Sequence, residues 1–180
     1  MFGTSADPPT IGHKKILEEL SKIYSHIITY ASDNPKKEHR ENIFFRSLLL
    51  KTLINDINNP KIIFNQEISS PWAIESIKKC KNIYTFNKID FVIGSDLISE
   101  IFLWKNFDRI IKEVKLLIIK REGYPIESNT LKMLETNKVI FEISSLNIPN
   151  ISSSMVRLNN NYSDLPKSLI DIVMKNNLYA

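Results

Sequence analysis

Cysteine is nearly absent: Cys80 is the only one among 180 residues. A lone cysteine cannot close an internal disulfide, and with no cysteine cluster there is no zinc site to expect. This fits a reducing cytosol, with Cys80 as a spectator. Long apolar runs are also missing. No stretch approaches the roughly 18 residues that a membrane-spanning helix needs, so no membrane partner is expected. The start shows no basic segment followed by an apolar run, the mark of a secretory signal, so a cytoplasmic protein is expected. Glycine is scarce, with four residues. Neither the G-x-G-x-x-G dinucleotide pattern nor a Gly-Lys-Ser/Thr phosphate loop occurs. Hydrophobic residues make up 43% and charged residues 24%, which suits one domain with a sizeable core, spanning 1–180, better than two. The net charge is +4 and the isoelectric point about 9.0. The lysines are scattered, as on a solvated surface, so anionic small molecules are expected as partners and nucleic acid is not.

Strand-like and helix-like segments alternate along the chain. Thr10 to Tyr24 carries Ile11, Ile16, Leu17, Leu20 and Ile23 at helical spacing. Ser25 to Ser32 is β-branched and reads as a strand. "NPKKEHR" is a loop, followed by a helix over "ENIFFRSLLLKTLINDI" and a strand over "KIIFNQEI". Ser69 or Ser70 is expected to cap the next helix, with Pro71 at its first position. "DFVIGSD" is a short strand, "SEIFLWKNFDRIIKE" a helix, "VKLLIIKREG" the most apolar strand and "KVIFEIS" another. Short helices are expected over "SSSMVRLNNN" and "PKSLIDIVMKNNLY". This order predicts an α/β, Rossmann-like single domain: a mostly parallel sheet with helices on both faces and right-handed crossovers. Runs such as Val114 to Ile119 are apolar at nearly every position, as in strands covered on both faces.

The opening "GTSADPPTIGH", Gly3 to His13, carries the densest chemistry. Gly3 permits a tight turn or the close approach of a ligand. Asp7 and the Pro8–Pro9 pair stiffen the loop. Thr10 can cap the helix that follows, and His13, three residues on, shares its side of the first turn. Hydroxyl, imidazole and unpaired helix amides then converge where a polyphosphate could sit. Turn-formers and a capping threonine also occur in loops that bind nothing, so spacing alone leaves both readings open.

The segment resembles the signature of the T/HxGH nucleotidyltransferase superfamily, here Thr10-Ile11-Gly12-His13. Its surroundings look like nicotinate-nucleotide adenylyltransferases, particularly a cyanobacterial variant. Four further segments agree in order: "NPKK", similar to the family's basic loop; "GSDLISEIFLWKNFDRII", similar to its Gly-x-Asp stretch and tryptophan helix; "IIKREG", similar to its Arg-Pro-Gly turn; and "ISSSMVR", similar to its Ile-Ser-Ser-Thr-x-Ile-Arg motif. The resemblance implies adenylyl transfer from ATP, with its magnesium, to nicotinate mononucleotide, giving deamido-NAD and pyrophosphate in NAD biosynthesis. No metal-binding residues are implied, and the oligomeric state stays open.

On that basis Gly3, Thr4, Ser5 and Gly12 would lie by ATP, and Thr10 and His13 would contact its phosphates. Gly94 and Asp96 would meet the ATP ribose at the end of a strand. Ile151, Ser152, Ser153 and Arg157 would reach the phosphates from the late helix. Lys37, with Lys36 beside it, would meet the mononucleotide phosphate, and Arg46 would either help this site or only ion-pair at the surface. Trp104 would lie by the pyridine ring, Trp72 would frame the same pocket, and Arg121 would lie near the mononucleotide. The chain departs from the family where Thr10 replaces a more usual histidine, Thr4 a glycine, Ala6 a phenylalanine and Ala73 a pocket threonine. The last change leaves open whether the acid or the amide of the pyridine is taken. Only Met1 and Phe2 precede Gly3, so the first strand is expected to be truncated and its neighbours' backbone groups unpaired. Alternatives are a nicotinamide mononucleotide or phosphopantetheine adenylyltransferase, or a sensor that binds adenine nucleotide without turnover.

Overall fold

Thr10 starts the first helix, as its spacing predicts, and the chain from there alternates helix and strand. The computed structural model describes residues 1–86, 88–146, 148, 151–159 and 162–179. They fall into two compact units, each drawn from separate stretches: Gly3–Ser69 with Ile148–Ala180, and Met1–Phe2 with Ser70–Asn147.

β1 (Phe2–Thr4), whose Gly3 and Thr4 belong to the first unit, forms a three-stranded sheet with β2 (Ile27–Ala31) and β3 (Ile62–Phe64) in that order. β2 and β3 are parallel, with Ile27 opposite Ile62 and Thr29 opposite Phe64. A parallel pair needs a crossover, supplied by α2 (Ile43–Ile57). Asn42 caps α2 by accepting Phe45 N at 3.2 Å. Asn58 ends it at φ +49, a left-handed conformation that asparagine tolerates. Leu49, Leu50, Leu53 and Ile54 of α2 are buried with Leu17 and Leu20 of α1 (Ile11–Ile23) and Ile27, Ile28 and Ile62 of the sheet. Each such side chain contributes about 1.5–3 kcal/mol on burial. The expected strand over "KIIFNQEI" stops early. Asn65 accepts Glu67 N and opens a single 3-10 turn, Gln66–Ile68. The Gln66 amide then bonds both Ala31 N and Ala31 O, at 2.9 and 2.8 Å. The late helices α6 (Ser153–Asn159) and α7 (Lys167–Lys175) belong to this unit, and α7 packs against α2.

In the second unit, β4 (Asp90–Gly94), β5 (Lys115–Ile119) and β6 (Phe141–Ile143) pair in parallel, with Val92 opposite Leu117 and Ile118 opposite Ile143. Leu116 to Ile119 are all buried, which accounts for the unbroken apolar run. Met1 donates its amino group to Asp90 O at 2.7 Å and accepts Val92 N at 3.0 Å. The unpaired backbone expected beside a short first strand is therefore not found at these positions, although β1 has only three residues. α3 (Ala73–Ile83) begins later than its serines and proline predict, with Trp72 at the N-cap. Ser69 Oγ donates instead to Ala31 O at 2.9 Å. The helix expected over "SEIFLWKNFDRIIKE" is two pieces, a 3-10 segment (Ile98–Leu103) and α4 (Phe107–Glu113). Asn106, at φ +58, breaks the run. α5 (Ser128–Thr136) had no strong sequence signal, because only Thr130 and Leu134 are buried. Cys80 is buried in α3, and burial pushes its thiol pKa up, as befits an unreactive side chain.

Candidate active site

The expected site residues divide between the two units. In the first unit, α1 and α6 both begin against the opening loop. Thr10 is fully buried at the N-cap of α1. Its backbone N–H donates to His13 Nδ1 at 3.0 Å, and its Oγ1 lies 2.9 Å from the same nitrogen. The imidazole thus closes a capping box of the kind usually made by Glu or Gln. Because Nδ1 accepts from a backbone N–H, it cannot carry the ring proton. The arrangement assigns that proton to Nε2. Thr10 therefore acts on His13 first, with its hydroxyl turned to the ring.

Gly12 lies where a side chain would be crowded. A Cβ there would stand 3.0 Å from Ile151 O and 3.3 Å from Thr10 Oγ1. Its absence lets the residues before α6 reach the first turn of α1. Ser153 Oγ then donates to Pro8 O at 2.8 Å. Arg157 Nη1 donates to Asp7 O, and Nη2 to Ser154 Oγ at 3.3 Å. Ser152 Oγ accepts Met155 N at 3.2 Å and so caps α6. Gly3 sits within β1 with the Tyr30 ring against its Cα. Thr4 Oγ1 accepts Ala6 N at 3.3 Å, and Ala6 adopts φ +48.

Asp7 is the residue that sequence reasoning undervalued. It is buried, and its carboxylate accepts Arg40 N at 2.7 Å and Glu41 N at 3.1 Å. Tyr179 lies beside it. Burial and then the Asp7 charge push the phenol far above its ordinary range. Arg46 differs from expectation. It is 1% exposed and spends its donors on backbone carbonyls: Nε on Glu41 O at 3.0 Å, Nη1 on Ser5 O and on Ser32 O at 2.8 Å each. A guanidinium so enclosed braces the opening loop and the basic loop from within. Lys36 and Lys37 are exposed on a turn that Asn34 builds, its Oδ1 accepting Lys36 N and its O accepting Lys37 N.

In the second unit, β4 ends at Gly94. Ser95 Oγ donates to Tyr124 O at 2.8 Å and accepts Arg121 N at 2.9 Å. Asp96 Oδ2 accepts Arg121 Nη1 at 2.8 Å. Its other oxygen, Oδ1, is buried and has no hydrogen-bond partner. That oxygen would stand 2.2 Å from a Cβ on Gly94, so a larger residue there would make the Asp96 carboxylate move. Arg121, expected near the mononucleotide, here neutralises Asp96. Trp104 is half-buried, edge-to-face with Phe91 of β4 at 6.1 Å. Trp72 is also half-buried, with Lys105 Nζ 4.7 Å from its ring centroid. Nothing in the sequence pairs Lys105 with Trp72 except its place beside Trp104.

The chain as a whole is similar to known proteins. A family profile described as cytidylyltransferase-like matches residues 1–159. The chain belongs to the cytidylyltransferase-like family. Among its curated relatives, a Campylobacter jejuni protein named probable nicotinate-nucleotide adenylyltransferase is 31% identical, over 97% of this chain and 93% of its own length. One of the same name from Synechocystis is 26% identical, over 99% and 97%. Among solved structures, Plasmodium falciparum nicotinic acid mononucleotide adenylyltransferase complexed with NaAD matches at a TM-score of 0.79 and 24% identity, over 99% of this chain and 95% of that one. The last likeness establishes the α/β, Rossmann-like fold expected from the sequence. This cytidylyltransferase-like chain has, among its described residues, no helix long and apolar enough to cross a membrane. Among the same residues, no group of three or more His, Cys, Asp or Glu side chains is arranged to hold a metal ion.

Proposed function

We propose that this chain transfers the adenylyl group of ATP to nicotinate mononucleotide in the cytoplasm, releasing pyrophosphate and forming deamido-NAD for NAD biosynthesis. Residues 1–180 act in this as one nucleotidyltransferase domain. One observation carries it beyond the names of its relatives: α6, through Ser153 and Arg157, meets the opening loop at Pro8 and Asp7, directly ahead of the Thr10–His13 capping box. A phosphate-binding purpose gives that meeting a reason.

In the reaction an oxygen of the mononucleotide 5′-phosphate attacks the α-phosphorus of ATP. The bond from that phosphorus to the bridging oxygen breaks, and pyrophosphate leaves with the electron pair. Both reactants bring their reacting groups, so the protein's work is positioning and charge stabilisation. His13 Nε2–H donates to a phosphate oxygen as charge moves to the leaving group. Arg157 supplies a fixed positive charge, held in orientation by Asp7 O. Ser152, Ser153 and the backbone of Gly3 to Ser5, Gly12 and Ile151 line the triphosphate. Magnesium enters with the triphosphate as part of that substrate. Asp96 Oδ1 accepts a ribose hydroxyl, which relieves a buried unpaired oxygen worth about 1–3 kcal/mol. Trp104 and Trp72 provide flat apolar faces for the pyridine, and Lys37 with Lys36 meets the mononucleotide phosphate.

The test is pyrophosphate release from ATP and magnesium with nicotinate mononucleotide, nicotinamide mononucleotide or phosphopantetheine as acceptor. Release is expected with the first. His13→Ala should lower turnover at least tenfold, about 1.4 kcal/mol of barrier. ATP binding with no pyrophosphate from any acceptor would replace the enzyme by a nucleotide sensor.

A further inference from the structure

Lys105 is exposed and directly follows Trp104. Its ammonium lies 4.7 Å from the Trp72 ring centroid, within cation–π range. Among the described residues it forms no ion pair. Lys105 follows Trp104, which closes the 3-10 segment Ile98–Leu103, while Trp72 caps α3. One lysine thus ties together two tryptophan-bearing turns of the second unit. Ala73, beside Trp72, offers no hydroxyl to an incoming polar group.

We infer that Lys105 makes this site select an aromatic carboxylate, so that the acid form of the pyridine mononucleotide is taken in preference to the amide. The inference rests on the function proposed above and adds the residue that decides between its two pyridine substrates. A heterocycle resting on a tryptophan face buries its own faces and leaves its ring substituent at the edge. A carboxylate at that edge gives the Lys105 ammonium the anion it lacks, and a charge-assisted bond is roughly twice as strong as a neutral one. A carboxamide is neutral and can offer the ammonium only its uncharged carbonyl oxygen, a weaker acceptor. Trp72 keeps the ammonium near the rings when no substrate is bound, so less rotamer freedom is lost on binding than for an unanchored lysine.

The experiment compares kcat/KM for nicotinate and nicotinamide mononucleotide in the wild-type protein, Lys105→Met and Lys105→Arg. Methionine keeps an apolar stem against Trp72 and removes the charge. The wild type is expected to prefer the acid. In K105M the acid-to-amide ratio should fall at least tenfold, with the loss concentrated in KM for the acid, and K105R should restore most of it. A K105M ratio equal to wild type, or an equal loss on both substrates, overturns the role of Lys105 while leaving the adenylyltransferase reading intact. A wild type that releases pyrophosphate with neither mononucleotide overturns that reading, and this inference with it.

Discussion

Under the proposed function, His13 divides two tasks between its two ring nitrogens. Nδ1 accepts Thr10 N–H and holds the first turn of α1, and Nε2–H donates to a phosphate. The tasks can be separated by substitution. Asparagine can place Oδ1 near the position of Nδ1 and accept Thr10 N–H, but it has no group at the position of Nε2. His13→Asn should therefore keep the cap and lose the donor, with turnover down at least tenfold and unfolding free energy within about 0.5 kcal/mol of wild type. His13→Ala should lose both, and a lost cap costs about 0.5–2 kcal/mol. Urea unfolding and pyrophosphate assays on the same preparations check the split. If H13N and H13A unfold alike, the capping bond carries no stability. The sequence allowed half of this argument: Thr10 and His13 share a helical face at that spacing. It could not reveal that the histidine faces back onto its own N-cap, because an N3 histidine usually does nothing of the kind.

At the scale of elements, the first unit is organised by loops tied through buried charge. Arg46, on the first turns of α2, bonds carbonyls of the opening loop, of the end of β2 and of the basic loop. Asp7 holds the basic loop from the other side through Arg40 N and Glu41 N. Arg46→Met should fill similar volume and leave those carbonyls without their donor. The expected loss is about 3 kcal/mol, in the range for breaking a buried charged network, and Arg46→Lys should recover less than half. A lowered urea midpoint with unchanged slope is the signature, and an unchanged midpoint would show that water replaces the guanidinium without cost. Such bracing was not legible beforehand. An arginine between Phe45 and Ser47 on an apolar helix can turn to solvent or inward, and only tertiary contacts decide. The helices and strands themselves were legible where the pattern was strong, as for α1, α2, β4 and β5. It failed where one residue overrode the pattern: Asn65 cut β3 short, Asn106 broke the tryptophan helix, and α5 had too few apolar anchors to register.

For the whole molecule, the buried charge implies a defined response to pH. His39, on the basic loop, is half-buried, and its Nε2 is shielded from solvent without a partner. Desolvation is the leading cause that pulls its pKa below the ordinary histidine value, and Arg46 and Lys37 act in the same direction. Asp7 and Asp33 oppose them but do not win. The folded protein therefore holds His39 neutral at pH values where the unfolded chain has begun to protonate it. Protons bind the unfolded state preferentially, so acid favours unfolding. The stability that neutral His39 contributes is complete above the ordinary value of about 6.5 and is lost as pH falls through the lowered folded value. Melting temperatures measured from pH 7.5 down to pH 5 should thus fall more steeply for the wild type than for His39→Gln, which cannot be protonated. The two proteins should differ least at the alkaline end. Parallel curves across that range would mean that water reaches the imidazole freely and that the basic loop opens as a unit before the core does. In that case Asp7 would be holding Arg40 N and Glu41 N too weakly to exclude solvent, and Asp7→Asn would leave the melting temperature unchanged as well.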